Sequence, residues 1–228
     1  MKVVVVVLAC CIAAVSASIS KHQSCYSEFH KSCSPNSETA EKECSAQYGK
    51  AHMYMKYLGG YVNEHLTRSM QYLLMSSHFG AFEQSREGFE KLFRKLSDET
   101  WEDAIDLLKY ITLRGGNLEL ENFMPKSGAT LLDDFETTEL GELESLAKAV
   151  DIQKDLAVKA HYIYNHTNLH DPEMGAYVED KFMHKHAKTV RTLVGLSNDL
   201  RKFVQEDKQK GSPGLQYFIV DEYLKKFI

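Results

Sequence analysis

The stretch Gly115–Glu139, "GGNLELENFMPKSGATLLDDFETTE", decides the architecture. It separates two segments of helical periodicity and contains Pro125 together with Gly115, Gly116 and Gly128. At about 25 residues it is too long for the hairpin loop that joins neighbouring antiparallel helices. A connection of this length marks a bundle with one long crossover, and the segments on either side of it supply the helices.

Immediately upstream, "SDETWEDAIDLLKYITLRGG" (Ser97–Gly116) closes a helix expected over about Glu87–Arg114. Phe89, Phe93, Leu96, Ala104, Leu107 and Ile111 recur on one face of it. The double glycine then stops it, because glycine accepts the left-handed backbone that follows a helix. An earlier segment, about Glu38–His78, repeats Leu58, Val62, Leu66, Met70 and Leu73 at helical spacing. Met53, Met55, Met70 and Met75 read as packing residues. Downstream, a third helix is expected over about Glu139–His166 and a fourth over about Pro172–Val204. "HDPE" forms the break, with Asp171 as cap and Pro172 in the first turn. After "KGSPG" a short fifth helix reads from "LQYFIVDEYLKKF". The result is an all-α four-helix bundle with one long crossover and a short fifth C-terminal helix. Secreted cytokine bundles, the architectural rival, use two long crossovers.

The chain begins "MKVVVVVLACCIAAVSAS", with a lone Lys2, an apolar run from Val3 to Val15 and small residues after it. This predicts a signal peptide over residues 1–17 and a secreted product; the run is too short to span a bilayer comfortably. Residues 18–50 form a cysteine-containing extension running into the first helix, and residues 51–228 form the bundle. Removing Lys2 takes the formal charge from −5 to about −6, which disfavours nucleic acid as a partner. Cys25, Cys33 and Cys44 remain, an odd count. In an oxidising compartment that implies one internal disulfide and one thiol for another chain, with the pairing undetermined. A zinc site is the alternative, and no Cys-x-x-Cys pair supports it. "NHT" makes Asn165 a glycosylation acceptor, expected in a loop.

Within Ser97–Gly116, Asp98, Glu99, Glu102, Asp103 and Asp106 crowd together with no base before Lys109. At 100° per residue, Glu99, Glu102, Asp103 and Asp106 fall within about 100° of one another, beside the apolar face. A solvated face is the plain reading. Carboxylates at this spacing also repel one another, and oxygen-rich clusters attract hard cations, Fe³⁺ among them. The run Asp133, Asp134, Glu136, Glu139, Glu142 and Glu144 reads as a solvated crossover and helix start, where negative charge suits the dipole. His161, His166 and His170 suit the end of the third helix in the same way.

Three stretches then resemble a known family. "YLLMSSHFGAFEQSREGFEKLFRKLSDETWEDAIDLLKYITLRGGN" is similar to helices A and B of animal ferritins. "HDPEMGAYVEDKFMHKHAKTVRTLVGLSNDLRK" is similar to helix D, and "KGSPGLQYFIVDEYLKK" to the link into their fifth helix. The likeness covers about Met53–Lys226. The signal peptide and cysteine-bearing extension resemble the secreted ferritins of insects, and within those the light-chain-type subunit. The fold implied is the ferritin-like four-helix bundle.

Oxidising ferritin subunits hold two irons between glutamates, a Glu-x-x-His pair, a tyrosine and a glutamine inside the bundle. Under the resemblance the helix A glutamate falls on His65, the tyrosine on Tyr72, the bridging glutamate on Thr100 and its histidine on Asp103. The helix C glutamate falls near Asp151 and the glutamine on His186. The chain contains no Glu-x-x-His. The resemblance therefore implies a stripped or remodelled site and a non-oxidising subunit. Such a subunit would share a disulfide-linked twenty-four-subunit shell with heavy-type partners and store or carry iron. The acids from Asp98 to Asp106 would face the interior and seed the Fe³⁺ mineral. Glu179 matches an acid of the family's hydrophilic pore, whose partner has become Ala176. Two rivals remain: a ferroxidase using His65, Tyr72, Glu99, Asp103, Asp151 and His186, and a secreted helical binding module holding no iron.

Overall fold

The computed structural model describes residues 46–117, 141–207 and 214–227. The signal segment, Cys25, Cys33, Cys44 and most of the crossover lie outside the described residues. The chain divides into Met1–Gly49 and Lys50–Ile228. Of the first unit, residues 46–49 are described; they are exposed and end in a turn where Gly49 has φ 64°.

The second unit holds α1 (Ala51–Gly80), α2 (Glu87–Leu113), α3 (Glu142–Thr167), a composite α4 and α5 (Gly214–Phe227). Helix α4 consists of Pro172–Val178, a π-helical stretch Glu179–Met183, and His184–Asp207. The first helix begins at Ala51, whereas the sequence pattern carried it back to Glu38; the turn at Gly49 and Lys50 breaks it. No strand occurs among the described residues.

Hydrogen bonds fix the helix directions. Ser97 Oγ donates to the Ser69 carbonyl and Ser76 Oγ to that of Glu90, so α1 and α2 are antiparallel. Tyr61 and Tyr72 donate to the Leu156 and Ala149 carbonyls, so α1 and α3 are antiparallel as well. Helices α2 and α3 therefore run parallel, and the end of one and the start of the next lie at opposite ends of the bundle. This is the single-crossover connectivity.

The α2 face is buried as its periodicity predicts: Phe89, Phe93, Leu96, Ala104, Leu107 and Ile111 line the core. On α1 the expected stripe is corrected. Leu58 and Val62 are buried, but Met70 is 43% exposed, as is Met53 at 54%. Steps of four residues turn 400°, so a 58–62–66–70 row drifts off the core by about 40° per step. The true inner row alternates threes and fours through Leu58, Tyr61, His65, Ser69, Tyr72, Ser76 and Phe79, all buried. Polar residues occupy its middle.

Two long-range devices hold the ends. Gly115, at φ 73°, lets the amide of Gly116 reach back to the Ile111 carbonyl and close α2. Fully buried Arg114 then bonds Asp171 through both Nη atoms, at 2.8 and 3.3 Å, and also bonds Glu173 and the Tyr110 hydroxyl. Asp171 meanwhile caps α4 by accepting from the Met174 amide, as expected. At the other end α2 has no side-chain cap of its own. Buried Asp221 of α5 supplies one, accepting from the Gly88 and Phe89 amides at 2.8 and 3.1 Å. A Cβ at position 88 would overlap the Asp221 carbonyl, so glycine permits this approach.

Candidate functional site

Mid-bundle, α1, α3 and α4 bring a polar layer together. His65 and His186 are buried, with ring centres 5.8 Å apart. Tyr61 packs edge-on to His65 at 4.2 Å, and Phe182, from the π-helical turn of α4, lies 5.5 Å from both Tyr61 and His65. His65 Nδ1 lies 2.9 Å from the Tyr61 carbonyl, while His186 contacts Gln153 Oε1 and the Tyr61 hydroxyl, each at 2.9 Å. Gln153 donates to the Tyr72 hydroxyl at 3.2 Å. Burial disfavours the charged imidazolium and lowers the His65 pKa to about 4 and that of His186 to about 3, so both rings are neutral at pH 7. Burial likewise raises the phenolic pKa of Tyr61 and Tyr72, and both stay protonated.

His65, Tyr72 and His186 thus share one layer. Asp151 does not join them: it is exposed on α3, and the inward residue at that level is Gln153. Two positions along a helix turn a side chain by 200°, which is why a small alignment uncertainty exchanges surface for core. Glu99 is partly exposed on the outer side of α2. Thr100 is buried and its hydroxyl donates to the Leu96 carbonyl. Asp103 turns to Lys185 of α4, 2.7 Å away. Burial raises the Asp103 pKa, Lys185 opposes that, and the outcome is about 6. Among the described residues no three or more His, Cys, Asp or Glu side chains are arranged around a common metal position. Irons in such bundles are bridged and ringed by carboxylates, whereas the described side chains that meet in this layer are two imidazoles, two phenols and an amide.

The acidic side of α2 is less bare than its sequence suggests. Asp98 pairs with Arg94 at 3.1 Å, Asp103 with Lys185, and Asp106 with Lys109 at 3.5 Å and Lys181 at 3.7 Å. Two of these cations come from α4 and are invisible to spacing on α2 alone. Among the described residues, no cation lies within 4 Å of the Glu99 or Glu102 carboxylates. These two acids, with Asp98, line an open hollow of about 390 Å³ along α2 that Glu90, Lys91, Arg94 and Lys95 of the same helix also line.

Asn165 is exposed but sits in the last turns of α3, not in a loop. Its sequon partner Thr167 is buried and donates to the Ile163 carbonyl. Glu179 opens the π-helical turn, with Ala176 exposed one turn earlier. His161, His166 and His170 are exposed near the end of α3. Sequence reasoning missed Tyr61, Gln153, Lys185 and Arg114. Tyr61 and Gln153 were accessible as inward positions of a three-four alternation; Lys185 and Arg114 carried no local signal.

The connectivity and the polar mid-bundle layer define a four-helix bundle of the ferritin-like class. A model of the ferritin-like domain matches residues 55–203, and the chain belongs to that family. It is 37% identical over 227 residues to the ferritin light chain of Trichoplusia ni, covering 96% of both chains. It is 34% identical over 207 residues to the ferritin light chain of Drosophila melanogaster, covering 89% of both. The Trichoplusia ni ferritin heavy chain is 26% identical over 68% of this chain and 72% of its own. The crystal structure of Trichoplusia ni secreted ferritin superposes with a TM-score of 0.76 at 36% identity, covering 90% of this chain and 99% of that one. The chain is thus a ferritin with insect light-chain homologues. Among the described residues no helix is long and apolar enough to cross a membrane.

Proposed function

We propose that this chain is the non-oxidising, light-type subunit of a secreted iron-storage ferritin. It builds a hollow twenty-four-subunit shell with heavy-type partners, which oxidise Fe²⁺, and it gathers the resulting Fe³⁺ along the outer side of α2. One observation carries the reading: where a redox di-iron pair needs bridging carboxylates, this bundle holds Thr100, an Asp103 bound to Lys185, and two neutral imidazoles. The light-chain names of its relatives and the secreted ferritin neighbour support the same assignment.

Mineral seeding falls to Glu99 and Glu102 first, since the neighbouring Asp98, Asp103 and Asp106 each hold a lysine or arginine. Hydrated Fe³⁺ entering there relieves repulsion between carboxylates at helical spacing. The N-terminal cysteines tie the subunit to its partners, Glu179 contributes to a pore, and Asn165 carries glycan if modified before α3 closes. The test compares shells. Particles of this chain alone should oxidise Fe²⁺ far more slowly than mixed particles with heavy-type subunits; equal rates would refute the reading. In mixed particles, Glu99→Gln with Glu102→Gln should slow growth of the ferric core while leaving Fe²⁺ oxidation unchanged.

A further inference from the structure

Iron storage makes no use of a buried nitrogen in the interior layer. His65 Nδ1 faces the Tyr61 carbonyl at 2.9 Å. A carbonyl only accepts, so Nδ1 carries the proton and Nε2 presents a lone pair. That Nε2 is buried and has no hydrogen-bond partner. His186 is set in the same tautomer by a longer chain. Tyr72 donates to the Ala149 carbonyl, Gln153 Nε2 donates to Tyr72, and Gln153 Oε1 is thereby turned towards His186 Nδ1. His186 Nε2 is then a second lone pair. The Tyr61 hydroxyl has one proton and two acceptors within reach, His186 Nε2 at 2.9 Å and the Leu156 carbonyl at 3.1 Å. Sending that proton to the carbonyl opens His186 Nε2.

We propose that His65 and His186 form a two-coordinate site for a soft monovalent cation, Cu⁺, which Ag⁺ can replace. The spacing fits: metal–nitrogen bonds of about 2 Å in a linear bridge separate two imidazole centres by about 6 Å, and the observed separation is 5.8 Å. The surroundings match how metal-binding histidines are prepared, each ring fixed through its other nitrogen to an oxygen acceptor.

Charge and softness select the ion. A divalent or trivalent cation needs compensating anions in a buried site, and the nearby Asp103 is bound to Lys185. Zinc requires about four ligands, and iron in such bundles takes carboxylates; two neutral nitrogens walled by Tyr61 and Phe182 satisfy neither. Access lies between α1 and α3, where a cleft of about 250 Å³ is lined by Gly60, Tyr61, Glu64 and Lys159. Tyr61 both lines this cleft and packs against His65, and the Glu64 carboxylate in the lining is paired with Lys159 and Arg68.

The test uses assembled, chelator-stripped shells containing the full chain, titrated anaerobically with Cu⁺ against a chromophoric Cu⁺ chelator. One Cu⁺ should bind per copy of this chain and resist a tenfold excess of Fe²⁺. His65→Gln and His186→Gln should each weaken it by at least about 100-fold, the upper range for losing even an outer-sphere partner. Anomalous diffraction at the copper edge on unsubstituted, copper-soaked crystals should place one peak between the two Nε2 atoms, and this decides the matter even where a variant fails to assemble. No peak there, or a peak ligated by carboxylates, overturns the proposal, as does undiminished affinity in both variants. The result is independent of whether the chain seeds mineral.

Discussion

Two polar regions are buried in this bundle, and they are treated differently. At one end the Arg114 guanidinium and the Asp171 carboxylate are almost wholly removed from water and bound to each other through two hydrogen bonds. At the middle His65 and His186 are equally buried but neutral, and one nitrogen is left without a partner. A carboxylate or guanidinium taken out of water is stable when its charge is paired, whereas a buried imidazolium can shed its extra proton, become neutral and keep an open lone pair. The end clasp is therefore structural, and the middle layer has chemistry to spare.

The contrast is broken most severely at the clasp. Arg114→Leu strands the Asp171 carboxylate and should cost about 3–5 kcal/mol, the usual penalty for removing one partner of a buried pair. Urea unfolding of the purified chain would register it, and a loss under 1 kcal/mol would show the pair to be dispensable. Next comes Gly88→Ala, which drives a methyl into the Asp221 carbonyl. Overpacking of this kind costs about 1–3 kcal/mol. Limited proteolysis should release α5 in the variant and spare it in the parent.

The layer itself is sharpened by pH. His65 and His186 have folded pKa values lowered to about 4 and 3. The unfolded chain therefore binds protons that the folded chain refuses, and stability falls as pH drops from about 6.5 towards 4. Asp103 works in reverse: its folded value is raised to about 6, so its contribution is lost as pH rises through 6. Two histidines against one aspartate leave roughly one net proton, or about 1.4 kcal/mol per pH unit. Metal-stripped protein should show this slope between pH 4 and 6, and His65→Leu should flatten it. At pH 7 the same substitution should change stability by no more than about 1 kcal/mol, since it removes an unsatisfied buried nitrogen along with one hydrogen bond. The smallest effect belongs to Arg94→Ala, where an exposed i,i+4 pair with Asp98 contributes at most about 0.5 kcal/mol by the same unfolding assay.

Much of the fold was legible from the chain. The α2 face, the glycine stop at Gly115, the Asp171 cap and the fifth helix depend on neighbours within a turn or two, and these the residue pattern encodes. The α1 stripe is not legible in this way, because a four-residue rhythm drifts and because a core row filled with tyrosine, histidine and serine does not announce itself as apolar. The acidic row on α2 looks unneutralised along the chain because the cations Lys181 and Lys185 arrive from another helix. The turn residues of "NHTNLHDP" predict a loop around Asn165, yet α3 continues through Thr167.

By itself the sequence determined the helices, their stops, the long connection and the loss of Glu-x-x-His, each a property of residues close along the chain. Only the tertiary structure decided that His65 meets His186, that Gln153 and not Asp151 stands between helices, that Lys185 answers Asp103, and that Asp221 caps a helix 132 residues before it. The reason is rotational. A helix turns 100° per residue, so which side chain faces which across a bundle depends on register between segments, and register is set by packing the whole core at once.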